Sequence, residues 1–534
     1  MIDPVRLEVY RHRFAAVAEE MGEALRRASF SPNIKERRDY SCAVFDARGD
    51  MVAQATHIPV HLGSMPLSVA AAIEEQGPDL GPGDMVLLND PYRGGTHLPD
   101  LTLVAPVFDD AGALAWFVAS RAHHADVGGM TPGSLPISRE IYQEGLRIPP
   151  VRLVRGGAVE RDLVRVLLAN CRAPEEREGD LLAQVAANRL GGARLLELER
   201  GPGGAAEARL HARALLDYAE RLMRAFLRAI PDGEYAFEDF LEDDGAGSGP
   251  LAVRVAVRIA GGEATVDFSG TAPQCRGCLN ANEAIALSAT AYAFRAVAGA
   301  GASGAEAQPP PNAGALRPIR LVVPEGSLVA PRFPAAVAGG NVETSQRLVD
   351  VLLGALAAAC PDRVPAASAG SMSNLTVGGV DPGRGGRTFA YYETVGGGAG
   401  ASPRGKGASG IQTHMTNTRN TPVEVLEHAY PFRVRQYRLR PGSGGAGAHP
   451  GGDGIVRELV ALAPCEATLL TERRRLAPYG LAGGAPGAPG RNGLVRADGS
   501  EVELPAKATV RLEPGDAIRV ETPGGGGFGG PTAP

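Results

Sequence analysis

The sequence contains few cysteines and no long hydrophobic run, and both absences limit what the protein can be. Six cysteines in 534 residues are too few for the disulfide framework of a small secreted protein. The single CxxC, Cys275–Cys278, has no second pair with which to complete a zinc ribbon, so we predict a reduced loop there. No stretch of about 18 uncharged apolar residues is present, so we predict no membrane-spanning helix. Because Met1–Arg6 also lacks the basic and then apolar layout of a signal peptide, we expect a cytoplasmic protein.

A strong excess of charge of either sign is also missing. The chain has 54 basic and 60 acidic residues, which gives a formal net charge of −6. This balance gives no indication that the protein binds nucleic acid or an anionic membrane. The apolar content of 44% is typical of a globular protein, and the length predicts several domains rather than a single core.

Glycine is abundant, but its pattern does not predict a nucleotide site. Gly400–Gly407 matches the spacing GxxxxGK of a phosphate-binding loop. In a phosphate-binding loop the residue after the lysine is Ser or Thr, which holds magnesium. In this chain that residue is Gly407. No strand-to-helix transition surrounds the segment. We therefore predict that this chain binds no nucleotide cofactor of its own.

The periodicity of apolar residues changes along the chain and predicts an α+β (mixed α/β) fold of several domains. Glycine and proline are concentrated in residues 299–314, which predicts a loop. Four regions follow: 1–137, an α/β region with an opening helix and buried strands; 138–230, mostly helical; 231–370, an α/β region with a hairpin and a buried helix; and 371–534, a glycine-rich β region.

Two short segments, Asn89–Asp100 and Arg121–Asp126, concentrate residues that can bind a metal. They flank the apolar run Leu101–Ala119, which predicts two strands. Imidazole and carboxylate ligands together suit zinc, manganese or iron(II), and three protein ligands leave one position open. In the simpler alternative, the HxxD motif caps a turn and the histidines end a strand. Two clusters in one place favour the metal site; its possible ligands are Asp90, His97, Asp100, His123, His124 and Asp126.

The Asn89–Asp100 segment also resembles the hydantoinase B family. That family includes N-methylhydantoinase B subunits, the C-terminal half of 5-oxoprolinases and a large subunit of acetone-type carboxylases. The resemblance covers nearly the whole chain, because further matching motifs occur in order at Lys35–Cys42, His57–Met65, Asp267–Thr271, Gly339–Arg347 and Thr522–Gly529.

The resemblance implies that one divalent transition metal is bound by His97, Asp100 and a histidine of the pair 123–124, with Asp39 as a weaker fourth ligand. Adjacent residues of a strand face opposite ways, so only one of the pair can readily point into the site. Alternation does not say which one, and we predict His123. His124 would then act in catalysis by orienting the ligands or the substrate.

Two further groups are candidates for the site. His57 and His61 would share one face of an extended chain, and Pro59 argues against a helix between them. A catalytic role for this pair and a structural role in a nearby loop are equally favoured. Glu343, Gln346 and Arg347 follow a glycine pair and are candidates for substrate binding, although a capped helix N-terminus explains them at least as well.

The resemblance implies a function that needs a second protein. Amides are poor electrophiles, and the resemblance implies that an ATPase partner activates them. We therefore predict the B component of an ATP-dependent hydantoinase or 5-oxoprolinase-type hydrolase, in which metal-activated water opens a cyclic amide. ATP and magnesium would bind a hydantoinase A-like partner in a hetero-oligomer such as a dimer of heterodimers. The alternatives are a component of an acetone-type ketone carboxylase and a non-catalytic scaffold for the ATPase.

Overall fold

The computed structural model of the protein describes residues 2–55, 57–300 and 308–530. Part of the predicted loop 299–314 lies outside these ranges. None of the helices in the described parts is long and apolar enough to cross a membrane. The helices are α1 Pro4–Ala28, α2 Pro32–Lys35, α3 Ser64–Gln76, α4 Arg161–Ala169, α5 Pro174–Glu199, α6 Gly204–Arg228, α7 Glu283–Ala300, α8 Ser345–Ala359 and α9 Val423–Ala429.

A seven-stranded antiparallel sheet forms the N-terminal part, in the order β2-β1-β5-β4-β3-β6-β7. Side chains alternate between its two faces, and both faces are covered. One face packs against α1, α4, α5 and α6, and the other against α3. Burial on both sides explains the uninterrupted apolar runs within this sheet, such as Cys42–Phe45 and Met85–Leu88. The strands are β1 Tyr40–Asp46, β2 Met51–Gln54, β3 Met85–Leu88, β4 Asp100–Phe108, β5 Leu114–His123, β6 Val151–Arg155 and β7 Ala158–Val159.

A second sheet has four strands in the order β11-β10-β9-β8. In β9, buried and more exposed positions alternate, as expected for a sheet with one covered face. That face packs against α7, α8 and the C-terminal half of α6. Its strands are β8 Gly233–Leu241, β9 Leu251–Ala260, β10 Glu263–Asp267 and β11 Ile319–Val322.

Two further antiparallel sheets pack face to face and form the C-terminal third. Their orders are β13-β12-β16-β19 and β14-β15-β20-β17-β18, and residues of both contribute to one apolar core. The strands are β12 Asn374–Asp381, β13 Arg387–Thr394, β14 Phe432–Arg440, β15 Gly454–Ala461, β16 Cys465–Leu470, β17 Arg491–Val495, β18 Glu501–Leu504, β19 Lys507–Leu512 and β20 Ala517–Glu521.

The predicted mixed helix-and-sheet architecture is confirmed, but one region differs from its prediction. The segment 138–160, assigned to a helical region, contains β6 and β7. Strand β6 pairs with β3 and extends the N-terminal sheet. The core on one face of this sheet runs from α1 to α6, so it crosses the predicted boundary at residue 137. Helices dominate only from Arg161 onward, because the residues just before it form β6 and β7 at the edge of the sheet.

The glycine segment 400–407 is a loop in the structure. A Cβ atom at Gly400 would lie 1.8 Å from the carbonyl oxygen of Ala366, and one at Gly407 would lie 2.0 Å from that of Ala399. Glycine is required at both positions because neighbouring backbone approaches so closely.

Candidate metal centre

The centre is built at the open end of the β4–β5 hairpin. Asp100 is the first residue of β4 and His123 the last of β5, and the strand register places them directly opposite each other. His97 lies three residues before Asp100, in the loop that leads into β4. The three side chains are at most 2% exposed, and one ligand atom from each lies within 4.8 Å of the others.

Two ring nitrogens in this group have no partner within the described parts of the chain. The Nε2 atoms of His97 and His123 are buried and have no hydrogen-bond partner, and the nearest carboxylate oxygen to His97 Nε2, from Asp100, lies 3.4 Å away. A buried polar atom without a partner costs free energy, which a metal ligand bond would offset. Two imidazole nitrogens and a carboxylate are also the donor set that zinc, manganese and iron accept. The residues present therefore fit a divalent transition metal.

The loop that carries His97 is held by backbone contacts and two asparagines. A Cβ atom at Gly94 or Gly95 would lie 2.4 Å from a carbonyl oxygen, so the loop can pack only with glycine there. Asn89 donates to the carbonyl of Leu98, and Asn282 donates to three carbonyls of the same loop. These bonds explain the glycine pair of the Asn89–Asp100 motif.

The other ring nitrogens of the ligand histidines face groups that orient the rings. His97 Nδ1 lies 3.4 Å from the carbonyl oxygen of Ala338. His123 Nδ1 lies 3.2 Å from the side-chain nitrogen of Asn33, and its ring stacks on Tyr392 with centroids 4.5 Å apart. Contacts of this kind fix the direction of the free nitrogen of a ligand histidine.

Electrostatics keep two of these side chains, Asp100 and His123, in the forms that bind metals. Burial opposes ionisation of Asp100, but His97 and His61 still hold the pKa of this carboxyl well below its usual range. Burial, followed by the charge of His97, holds the pKa of His123 well below its usual range. The site thus combines a carboxylate with a neutral imidazole near neutral pH.

Asp39 lies beside this group and lines the same small cavity. Its backbone carbonyl accepts a hydrogen bond from the N–H of His123, and its carboxylate lies 3.9 Å from Arg37. Burial raises the pKa of Asp39 to about 7 despite that arginine. Asp39, the predicted fourth ligand, thus lines the same cavity as Asp100 and His123, but it lies outside the group of three donors that are within 4.8 Å of one another.

Of the two histidines near residue 60, only His61 reaches the site. Its Nε2 lies 3.5 Å from an Asp100 oxygen, and its Nδ1 lies 2.8 Å from the hydroxyl of Ser41. His57 packs instead against Tyr40 and Gly22. A short 3-10 turn between the two histidines, rather than an extended chain, sends the rings in different directions.

His124 points away from the ligand group, as strand alternation allows. Its Nε2 lies 3.0 Å from the side-chain oxygen of Gln184 on α5. Asp126, also a possible ligand by sequence, accepts hydrogen bonds from Gly128, Gly133 and Arg172 and orders that loop, outside the group of His97, Asp100 and His123.

The predicted substrate-binding residues lie around the start of α8 and are all buried. Glu343 accepts hydrogen bonds from the Met372 N–H and the Asn374 side chain. Gln346 donates to a backbone carbonyl, and Arg347 pairs with two aspartates. None of the three lines the cavity beside the metal ligands.

Two residues of this segment, Asn341 and Val342, do line the cavity. Sequence reasoning missed Asn341, together with Asn33, Glu144 and Tyr392. The cavity is lined by apolar side chains and by hydroxyl, amide, carboxyl and imidazole groups. Asn341 was overlooked because an isolated asparagine after two glycines is most simply a turn residue. The lining residues are Asp39, Ile58, Val60, His61, Asp100, His123, Asn341, Val342, Met372, Tyr392, Thr394, Met415, Thr416 and Thr418.

Known proteins resemble this chain over nearly its whole length. 5-Oxoprolinase 1 of Arabidopsis thaliana is 40% identical over 99% of the chain, which spans 42% of that protein. The chain thus spans less than half of the first curated relative it matches. The putative B component of a D-/L-hydantoinase from Pseudomonas sp. (strain NS671) is 32% identical, with 99% of this chain and 90% of that protein covered.

Solved structures share the fold. The ATP-dependent caprolactamase from Pseudomonas jessenii matches with a TM-score of 0.90 and 31% identity, covering 99% of this chain and 92% of the other. Acetone carboxylase matches with a TM-score of 0.87 at 19% identity over 99% of this chain and 76% of the other, a likeness that shows the fold alone. A family model described as hydantoinase B/oxoprolinase matches residues 3–531, which confirms the family predicted from the motifs. The chain belongs to the hydantoinase B/oxoprolinase family.

Proposed function

We propose that this chain is the metal-bearing B component of an ATP-dependent hydrolase that opens a cyclic amide. The buried group of His97, Asp100 and His123, with its two unpaired ring nitrogens, is the observation that carries the proposal. The relatives support the substrate class, because they are named as a 5-oxoprolinase, a hydantoinase component and a caprolactamase.

His97, Asp100 and His123 would hold the metal, with Asp39 as the fourth ligand. A bound zinc, manganese or iron ion would supply Lewis-acid chemistry, which polarises a carbonyl and lowers the pKa of water. Around it, Asn33 and Tyr392 hold the ring of His123, and Ala338 holds that of His97.

His61 is the predicted catalytic histidine that we retain. Its Nδ1 faces the hydroxyl of Ser41, and its Nε2 faces Asp100. His61 would carry a proton at Nε2, directed at the Asp100 carboxylate, and would so orient that carboxylate. His57 and His124 would support the fold, because their rings contact Tyr40 and Gln184 instead.

ATP would act on a hydantoinase A-like partner in a hetero-oligomer such as a dimer of heterodimers. The region that matches this chain is 42% of a 5-oxoprolinase but 90% of the hydantoinase B component. This difference supports a second component that is fused to the matching region in one relative and separate in the other. The partner would activate the amide, and this chain would direct water onto it.

The metal is tested by elemental analysis of the purified chain. We expect about one zinc, manganese or iron per chain in the wild type, and loss of it in His97→Ala and Asp100→Ala. His12→Ala is the control because this histidine is largely exposed on α1, and it should keep the metal. Full occupancy in both ligand variants would contradict the assignment.

The reaction is tested by adding the partner. Turnover of a lactam or hydantoin should require both components, and Asp100→Ala should lower product formation by ~10²-fold or more while the complex still assembles and binds ATP. Near-normal product from an assembled Asp100→Ala complex would favour the scaffold alternative. Product that depends on bicarbonate and a ketone would favour the carboxylase alternative, whose fold this chain shares.

A further inference from the structure

Asn341 brings an unused hydrogen-bond acceptor to the metal cavity. Its side chain lines the cavity next to Asp100 and His123, and the residue is only 4% exposed. The amide oxygen Oδ1 has no hydrogen-bond partner within the described residues, while Nδ2 lies 3.5 Å from an Asp100 oxygen. Buried amide oxygens are normally paired, so this acceptor indicates a ligand that supplies a donor.

The backbone holds Asn341 firmly in this place. It lies in a π-helical turn, Gly340–Thr344, that precedes α8. The N–H of Gly340 donates to Cys278 and Val337, and a Cβ atom at Gly340 would lie 1.9 Å from the carbonyl oxygen of Asn280. π-Turns of this kind occur frequently at functional sites, where they aim one side chain. The position of the amide is therefore set before a substrate binds.

A cyclic amide offers the donor that Asn341 lacks. An amide group is planar, and a small ring forces its N–H and its carbonyl onto the same edge. A side-chain oxygen beside the ligand group can therefore bind the N–H while the carbonyl of the same amide faces the ligand group. The protein would then contact both the N–H and the carbonyl of the amide whose C–N bond is broken.

We infer that Asn341 Oδ1 accepts the ring N–H of the substrate, so that the protein selects cyclic amides whose nitrogen carries a hydrogen. The inference rests on the proposed function and narrows its substrate class. Five of the residues that line the cavity are apolar and suit the carbon atoms of such a ring; they are Ile58, Val60, Val342, Met372 and Met415. The cavity has a volume of only about 20 Å³, so lining side chains must move when a ring enters.

A competing role for Asn341 is to support Asp100 through Nδ2. That contact is long, at 3.5 Å, and leaves Oδ1 unexplained. The two roles make different predictions for Asn341→Leu, which keeps the size of the side chain and removes both polar atoms. Loss of support for Asp100 would reduce metal content, whereas loss of the acceptor would change substrate choice alone.

The experiment uses the metal-loaded complex with its ATPase partner. The probes are pyrrolidin-2-one, piperidin-2-one and ε-caprolactam, each compared with its N-methyl derivative. We measure kcat/KM for turnover and binding of the same probes by calorimetry. The wild type should prefer the N–H form by about 10-fold or more, because a buried acceptor rejects a ligand that lacks the donor. Asn341→Leu should reduce this preference to about twofold with unchanged metal content.

Met372→Leu is the matched control, because it alters the apolar wall of the same cavity without changing a polar atom. It should change turnover of both probe forms together and leave their ratio as in the wild type. The inference would be overturned if Asn341→Leu kept the preference for the N–H form or lost its metal. Turnover by the wild type would still support the proposed function in either case. A metal-loaded wild-type complex that binds and opens none of the probes would instead overturn the lactamase function and this inference with it.

Discussion

Replacing Glu144 should weaken both the fold and the binding of metal, although its carboxylate contacts no ligand. Glu144 is fully buried. One of its oxygens accepts hydrogen bonds from the N–H groups of Val337 and Ala338 at 2.8 and 2.9 Å, and from the hydroxyl of Ser138 at 2.7 Å. The carbonyl of Ala338 in turn lies 3.4 Å from His97 Nδ1. Glu144 therefore holds the segment that orients a metal ligand.

The size of the effect follows from what alanine leaves behind. Glu144→Ala leaves two buried N–H groups without an acceptor, and each costs about 1–3 kcal/mol. The free energy of unfolding should therefore fall by roughly 2–6 kcal/mol. Because the Ala338 carbonyl loses its anchor, metal affinity should fall by about 10- to 100-fold.

Glu144→Gln is the matched control because it keeps an acceptor oxygen in the same place. Burial raises the pKa of Glu144 to about 7, so glutamine resembles the protonated form present near neutral pH. We expect a loss of about 1 kcal/mol or less and nearly unchanged metal affinity. Stability is measured by denaturant unfolding of the metal-free chain, and affinity by competition with a zinc chelator. Wild-type stability and affinity in Glu144→Ala, or equal losses in both variants, would refute the reasoning.

Two other perturbations test the electrostatics and the histidine assignments. Burial, reinforced by Glu472, raises the pKa of Glu343 to about 8 from a usual value of 4.5. The native protein thus keeps a proton that the unfolded chain releases, and the free energy of unfolding should fall as the pH rises from about 4.5 to 8. Glu343→Gln should flatten that part of the profile in denaturant titrations across this range; an unchanged slope would contradict the shifted pKa. His61→Asn should lower metal affinity in the chelator assay because His61 faces Asp100, whereas His57→Asn should not. Equal losses of metal affinity in the two variants would contradict the different roles assigned to His61 and His57.

The strands of the N-terminal sheet were predictable because both of its faces are buried. The residues Cys42–Phe45 and Met85–Leu88 are uninterrupted apolar runs, and each lies within a strand. Strand β6 was not predicted, because its five residues, Val151–Arg155, include two arginines, do not alternate regularly and lie within a charged region. Only its pairing with β3, about 65 residues earlier, makes it part of the sheet.

The candidate metal-binding group could be recognised because its members are close together in the sequence. Asp100 and His123 face each other across the β4–β5 hairpin and His97 lies three residues before its first strand, so a local motif was sufficient. The choice between His123 and His124 depended on the direction of β5, which alternation alone cannot give. Asn341 was missed for a different reason: more than 200 residues separate it from Asp100, and only the tertiary fold brings the two together.

The surroundings of the metal ligands have a consequence for how this protein can change over time. Asn33, Glu144, Ala338 and Tyr392 come from the four different regions of the sequence, yet all act on two histidine rings, directly or through one further residue. A crossover that replaced one region by that of a distant homologue would separate a ligand from its support. Recombination between divergent lineages should therefore rarely yield a working centre. The four regions are therefore expected to be inherited together as one block, whether this block is a separate gene or is fused to another.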